Sequence, residues 1–549
     1  MPEAPAAGPE RSAVAGPPSG AGTGPGADGM GTSVRAAQAV GLLLGFYLCT
    51  LGTLAALASI DVALLLRTES ATPVVAEGKV IGLTVVIAIP LVRGVLASLR
   101  RRGGGAGLGG VPVTPEQQPK LWARVRGLAE QVGTRPPAEI WLVPTVNAAV
   151  SEDVRLMGLL PGRRRMYVGV PLLIGLTVNQ LDAVLAHELG HYSNRDVRLA
   201  PTTVRGREGV LTVARAYWAG KAFWHRPMRA FFTWYAQLYL RTSQSVSRHQ
   251  ELAADRMAAR IAGRDHTAAA LREIPALDAA YGFYLNRYAE VGWEAGLLPL
   301  PEEFYGGLYG LLSEPSRQRE LDELRRNPPE DEAGPYDSHP PISERIAAIE
   351  SLPGDGRVAA DAEPAALTLL RGAPRVCADV AAVALSPEAK AKRPVDWEEL
   401  ARGAGRASLV RDAATVLSTA SAVVGVPVPD LSTLLQAVEA GWLDLIADSL
   451  PKSDRAQQAT GRVAREFART AFRDAVTAPV LLALVDGGRA RWTHSWSRTL
   501  HLEFDQGVEG AVAAALDGLV AETPDTWPLR CLLHGLEPAL TMSPTPTGL

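Results

Sequence analysis

His187-Glu188-Leu189-Gly190-His191 places two imidazoles one helical turn apart with a carboxylate beside the first. Residues four apart share a helix face, so both histidines can present nitrogens to one Zn2+ while Glu188 points toward the water to be activated. The chemistry such a set performs is hydrolysis, with Glu188 as general base and then general acid. The pentapeptide alone also fits two ordinary histidines on a half-buried helix, so its surroundings must decide.

A catalytic zinc usually keeps three protein ligands and one open position. Glu251 is the best third candidate, in Ser247-Arg248-His249-Gln250-Glu251-Leu252-Ala253-Ala254-Asp255, a stretch without Gly or Pro until Gly263 that reads as a helix. Asp255 lies four residues on, on the same face, where it can accept a hydrogen bond from a ligand histidine and fix its tautomer. The competing reading makes both solvated helix carboxylates, with Arg248 or Arg256 as charge partners. Downstream, His339 precedes Pro340-Pro341 and Arg345 follows six residues after that histidine. Either the pair stabilises the oxyanion of a tetrahedral intermediate, or His339 is a turn residue and Arg345 a partner of Glu344 or Glu350.

These residues need helices to hold them. Thr177 and Gln180 have capping-box spacing ahead of Leu181, Val184 and Leu185, which starts a helix whose inward face carries the motif. A second helix is predicted from about Thr114, with Leu121, Trp122, Val125, Leu128 and Val132 on one side.

The order H-E-L-G-H, then S-R-x-x-E-x-x-A-D, then H-P-P-x-x-E-R-I resembles the HtpX and CAAX prenyl endopeptidase family of membrane-bound zinc metallopeptidases. The resemblance covers about residues 111–352, and Ile140-Trp141-Leu142-Val143-Pro144 with Asn147-Ala148-Ala149 looks like the family's strand beside the cleft. It implies a zincin-like α+β core, mainly α with a small β-sheet. It also implies one zinc per chain on His187, His191 and Glu251, Glu188 as base and acid, and His339 with Arg345 near the oxyanion. Asp255 and Asp196 would hold the ligands from behind, and a polypeptide substrate would add in extended form along Asn147, Ala148 and Ala149. Membrane-protein quality control is the implied role, with membrane proteins among the substrates. Prenyl-peptide processing fits less well, because two spans cannot enclose a membrane chamber.

One departure from the family is visible. Many bacterial members carry a second hydrophobic hairpin between the histidine motif and the third ligand, whereas residues 203–246 hold Arg205, Arg207, Arg215, Arg226, Arg229 and Arg241. Their longest uncharged run, Ala230 to Leu240, cannot span a bilayer. Phe231, Phe232, Trp234, Tyr235 and Tyr239 are expected to pack against the core; a peptide groove and the membrane interface are the alternatives.

Membrane attachment is expected upstream. Residues 36–66 carry only Asp61 as a charge, and Ala39 to Ala58 as a helix would cover about 30 Å, the thickness of the hydrocarbon core. Val80 to Leu99 forms a second span, interrupted by Pro90 and Arg93. Arg35 before the first span and Arg100-Arg101-Arg102 after the second put both termini in the cytoplasm, with the plasma membrane as the anchor. Cleavage after Ala56-Leu57-Ala58 is the competing reading, and even then the three arginines would keep the catalytic domain inside.

The 549 residues leave room for two or three domains, and a net charge of −3 without a basic tail gives no reason to expect nucleic acid. Cys49, Cys377 and Cys531 are too few and too scattered for a disulfide framework or a thiolate site. The expected organisation is a disordered segment 1–32, a two-helix membrane hairpin 33–102, a Gly-rich linker 103–110, a metallopeptidase domain 111–352, a linker 353–374, and a mostly helical accessory region 375–549. In the last, Leu431, Leu434, Leu435, Val438, Trp442, Leu445 and Ile446 form one amphipathic stripe. Trp492 to Phe504 alternates as one strand, placing His494 and His501 on opposite faces and disfavouring a second metal site. This region is a candidate for binding an unknown protein partner. A catalytically silent scaffold is the alternative for the whole chain, and the intact Glu188 argues against it.

Overall fold

The long uncharged stretch propagates as α1 (Ala27–Leu66), followed by α2 (Val74–Leu99), and the two pack together. The computed structural model describes residues 27–66, 74–99, 109–155, 160–192, 209–217, 225–329, 340–354, 356, 363–451 and 457–534. Within α1, Val40–Ala63 is long and apolar enough to cross a membrane, and among the described residues of α2 Thr84–Arg93 is an apolar helical run. Asp61, the one acid of the first span, accepts a hydrogen bond from Thr84 Oγ1 at 3.0 Å. The helix starts inside the segment 1–32 read as disordered, and residues 1–26 lie outside those described.

A four-stranded sheet follows, in the order β1 (Val111–Val113), β2 (Glu139–Val143), β4 (Leu160–Gly169), β3 (Ala148–Arg155). β1 and β2 are antiparallel, β2 and β4 parallel, and β3 runs antiparallel to β4 as an edge. The alternating residues Ile140 and Leu142 of β2 and Met166 and Val168 of β4 are fully buried. They pack with Leu121, Val125 and Leu128 of α3 (Pro119–Val132) and with the short α4 (Val170–Gly175). α3 begins later than the expected Thr114. Thr114 and Gln117 do exchange capping-box bonds, at 2.9 and 3.3 Å, but they close only a turn, and the helix starts at Pro119, a residue suited to a first turn.

α5 (Val178–Gly190) carries the histidine motif. Its capping box is complete: Gln180 N–H donates to Thr177 Oγ1 at 3.3 Å and Thr177 N–H donates to Gln180 Oε1 at 2.9 Å. A strap of later sequence reinforces this end, since Val178 N–H donates to Pro364 and Ala366 N–H to Leu176, each at 2.9 Å. Leu181, Leu185, Ala186 and Leu189 fix the inward face.

Beyond a helix α6 over residues 209–217, α7 (His225–Ala262) runs for 38 residues, about 57 Å at 1.5 Å per residue. It stops at Gly263, whose φ of 104° suits glycine. Its first half packs on α1 and α2: Phe232, Tyr235 and Tyr239 meet Leu43, Phe46 and Leu91, and Tyr235 donates its hydroxyl to the Leu42 carbonyl. Phe231 and Trp234 face outward. The aromatic group therefore packs against α1 and α2 and not against the sheet core. The second half of α7 lies along α5. α8 (Arg264–Tyr284), α9 (Pro301–Ser313), α10 (Pro315–Arg326), α11 (Ile342–Glu350) and α12 (Ala373–Ala384) complete this part. Ala366, Leu370, Cys377 and Val380 join the same buried cluster as the sheet.

The C-terminal region has its own core, built from the helices Trp397–Val424, Leu431–Glu439, Leu443–Ser449, Gly461–Asp486 and Val508–Leu519. Trp397–Val424 also has the length and apolar character of a span, and its Leu409, Ala413, Val416 and Ala420 are buried. Two expectations are corrected here. The stripe Leu431 to Ile446 is broken into two helices because Gly441 adopts φ 87°, and Leu445 is exposed. Trp492 to Phe504 is a hairpin, not one strand. After β5 (Leu297–Pro299) pairs with β6 (Arg393–Val395), β7 (Ala490–Thr493) pairs antiparallel with β8 (His501–Phe504), and the connection folds back onto α9. There Trp496 fills a groove: a Cβ on Gly307 or Gly310 would come within 2.8 or 2.5 Å of its ring.

Candidate metal centre

His187 and His191 leave the last turn of α5 together, with ring planes at 86° and their Nε2 atoms 3.2 Å apart. α7 delivers Glu251 against them. Its carboxylate stands 3.5 Å from His187 Nε2 through one oxygen and 3.6 Å from His191 Nε2 through the other. Two atoms bound to one tetrahedral zinc at about 2.0–2.1 Å lie about 3.3 Å apart, so the three donors stand at the spacing such an ion needs. The donor set, two imidazole nitrogens and a carboxylate, is one zinc accepts. Glu188 belongs to the same cluster, with one donor atom each from His187, Glu188 and His191 within 4.8 Å of one another. Glu251 thus faces the two imidazoles from a separate helix, and Glu188 lies beside them on α5.

Behind these groups lies an ion network. His187 turns Nδ1 to Asp255 Oδ1 at 2.9 Å, which assigns the proton to Nδ1 and leaves Nε2 facing the centre. Arg345, from α11, grips Asp255 with both arms: Nε donates to Oδ2 at 2.9 Å and Nη2 to Oδ1 at 2.7 Å. Its Nη1 is 3.7 Å from Glu251 Oε2. Burial works against the charged form of His187, but the hydrogen bonds to Asp255 and Glu251 and the nearby Glu188 carboxylate raise it to about 9. Burial likewise pushes Asp255 up, and the Arg345 and His187 bonds outweigh it, so its carboxyl lies below the ordinary range. Arg345 is bound to Asp255 rather than to Glu344 or Glu350, the latter being held by Arg272 at 2.6 Å.

Asn147 directly precedes edge strand β3, which Ala148 and Ala149 begin, while Ile140 to Val143 form the inner strand β2; Asn147 is exposed, Ala149 half-buried and Ala148 buried. Asp196 and His339 lie outside the described residues. Reading the sequence missed Tyr192. Its hydroxyl donates to the Val150 carbonyl at 2.6 Å, its own carbonyl accepts from Thr134 Oγ1 at 3.3 Å, and the Arg164 guanidinium covers its ring at 4.5 Å. The single available signal was its position directly after His191.

Residues 115–352 match the model of peptidase family M48. That segment belongs to family M48. Within the M48 segment lie all the site residues named above, with the C-terminal core wholly beyond it. A protease HtpX homolog of Thermococcus sibiricus is 34% identical over 109 residues, covering 20% of this chain and 35% of the relative. Protease HtpX homolog 1 of Saccharolobus solfataricus is 36% identical over 98 residues, covering 18% of this chain and 30% of the relative. The chain thus spans about a third of the length of these curated relatives. No solved structure matches.

Proposed function

We propose that the chain is a membrane-anchored, zinc-dependent endopeptidase. The observation that carries this reading is the triangle of His187 Nε2, His191 Nε2 and the Glu251 carboxylate, with edges of 3.2, 3.5 and 3.6 Å and Glu188 beside it. When bound, the ion would acidify a water and polarise the scissile carbonyl. Glu188 takes the proton of the attacking water and passes it to the leaving amine. Asp255 and Arg345 position His187: the guanidinium fixes the carboxylate, and the carboxylate fixes the imidazole. With both arms engaged, Arg345 acts on the oxyanion through its field, and His339 is the proposed donor.

The substrate adds as an extended strand at Asn147 to Ala149 on the free edge of β3. Polypeptides, membrane proteins among them, are the substrate class, and quality control is the role. α1 and α2 cross the plasma membrane with the catalytic domain in the cytoplasm, as the arginines after α2 favour. The C-terminal core is an accessory unit that serves partner binding.

The test is metal content and casein cleavage measured together on detergent-solubilised protein and its Glu188→Gln variant. Both should hold one zinc per chain, and only the unmodified protein should cleave. Zinc-free wild type, or cleavage undiminished in the variant, overturns the reading.

A further inference from the structure

We infer that Tyr192 ends the substrate track, limiting backbone recognition on β3 to the rung at Ala148. The inference deepens the endopeptidase reading and rests on it. Its basis is the direction of the backbone groups along the edge strand. Asn147 C=O accepts from Gly169 N–H at 2.8 Å, and Ala148 to Ser151 pair with Val168 to Arg165 in unbroken register. In an antiparallel ladder alternate residues turn both backbone groups the same way, so the Asn147 carbonyl, Ala149 and Ser151 face β4 while Ala148 and Val150 turn theirs to the opposite edge; the Asn147 N–H is taken by the Thr145 carbonyl at 2.8 Å.

No strand covers that edge among the described residues. An incoming peptide would bond both groups of Ala148 and then, two residues on, both groups of Val150. The second carbonyl is taken, because the Tyr192 hydroxyl donates to it at 2.6 Å.

The hydroxyl is built in place. The ring lies under Arg164, a buried side chain that donates to Thr134 Oγ1 at 3.0 Å and to the Arg135 carbonyl at 2.7 Å. Thr134 in turn donates to the Tyr192 carbonyl at 3.3 Å. Past Val150 the strand is irregular between Glu152 and Val154, and Glu152 is engaged by Arg135 at 2.8 Å and Arg164 at 3.4 Å. A peptide following the edge away from Ala148 therefore meets a stop that begins one residue after the metal ligand His191. Tyr192 acts here as a positioning residue that sets where the extended segment ends relative to the scissile bond.

The proposal is tested with quenched-fluorescent peptides that carry a casein site cleaved by the wild type, lengthened one residue at a time on each side and then N-methylated singly. Wild type should show one edge-strand position where N-methylation raises KM. In Tyr192→Phe, a second sensitive position should appear two residues away. KM for the longer peptides should fall about two- to tenfold, the worth of one added neutral hydrogen bond, with kcat and zinc content unchanged. Two sensitive positions spaced by two in the wild type, or identical length and methylation profiles in both proteins, overturn the stop while leaving the endopeptidase reading intact. A zinc-loaded wild type that cleaves no peptide overturns both. The wild-type scan decides the matter even where the variant folds poorly.

Discussion

His187 Nδ1 lies 2.9 Å from Asp255 Oδ1, and the same carboxylate oxygen receives Arg345 Nη2 at 2.7 Å. One acid thus joins a proposed ligand on α5 to a guanidinium on α11, across 68 and 90 residues of chain. Partners of this kind orient a ligand imidazole, and their loss typically weakens metal binding about 10- to 100-fold. Asp255→Asn keeps the shape and removes the charge, so zinc affinity measured by chelator competition should fall within that range. Arg345→Ala should have a similar effect, through a freed Asp255. Unchanged affinity in both variants would remove the positioning role.

Glu251 reaches both imidazoles at 3.5 and 3.6 Å from a separate helix. Glu251→Ala should therefore lose most of the bound zinc while the far-ultraviolet circular dichroism keeps its helical signal. Full zinc occupancy would remove Glu251 from the ligand set and turn attention to Glu188.

What could be read from sequence depended on how far apart in the chain the interacting groups are. The Thr177–Gln180 box and the facing of His187 and His191 are contacts within one helix, and the motif spacing shows them directly. Thr114 and Gln117 gave the same local signal, but the choice between a turn and a helix start was set by Pro119 and the packing of Trp122. The alternation from Trp492 to Phe504 is a real two-residue period, yet it does not show that Ser495 to Leu500 reverse direction, since no Gly or Pro marks the bend. Contacts such as Arg345 with Asp255, Tyr192 with Val150, and Phe232 with Phe46 join distant segments, and nothing local announces them. Gly441, by contrast, stood within the predicted stripe, and its capacity for φ 87° is the reason that stripe breaks.

Topology is open to labelling in intact cells. With Arg100-Arg101-Arg102 inside, a cysteine placed at Ser70 should react with an impermeant maleimide and one at Gly105 should not. Cys49 is changed to Ser in both proteins to clear the background. The reverse pattern would put the catalytic domain outside the cytoplasm.

The last prediction concerns the seam between the two cores. Trp496 sits against Gly307 and Gly310 of α9, its carbonyl accepts from the Tyr288 hydroxyl at 2.9 Å, and Arg317 Nη2 donates to the next carbonyl, Ser497, at 3.1 Å. A Cβ at residue 310 would lie 2.5 Å from the indole nitrogen, so Gly310→Ala should destabilise the first urea transition by about 1–3 kcal/mol through overpacking. Trp496→Ala should cost about 2–3 kcal/mol, less than a fully buried aromatic because the ring is half-buried. The two changes should not add. Once the indole is gone, the new methyl meets no clash, and replacing a mid-helix glycine by alanine gains about 1 kcal/mol, so Gly310→Ala should change sign in the Trp496→Ala background. If its effect is the same with and without Trp496, the indole is not seated in the glycine groove, and the docking of the C-terminal hairpin on α9 is wrong.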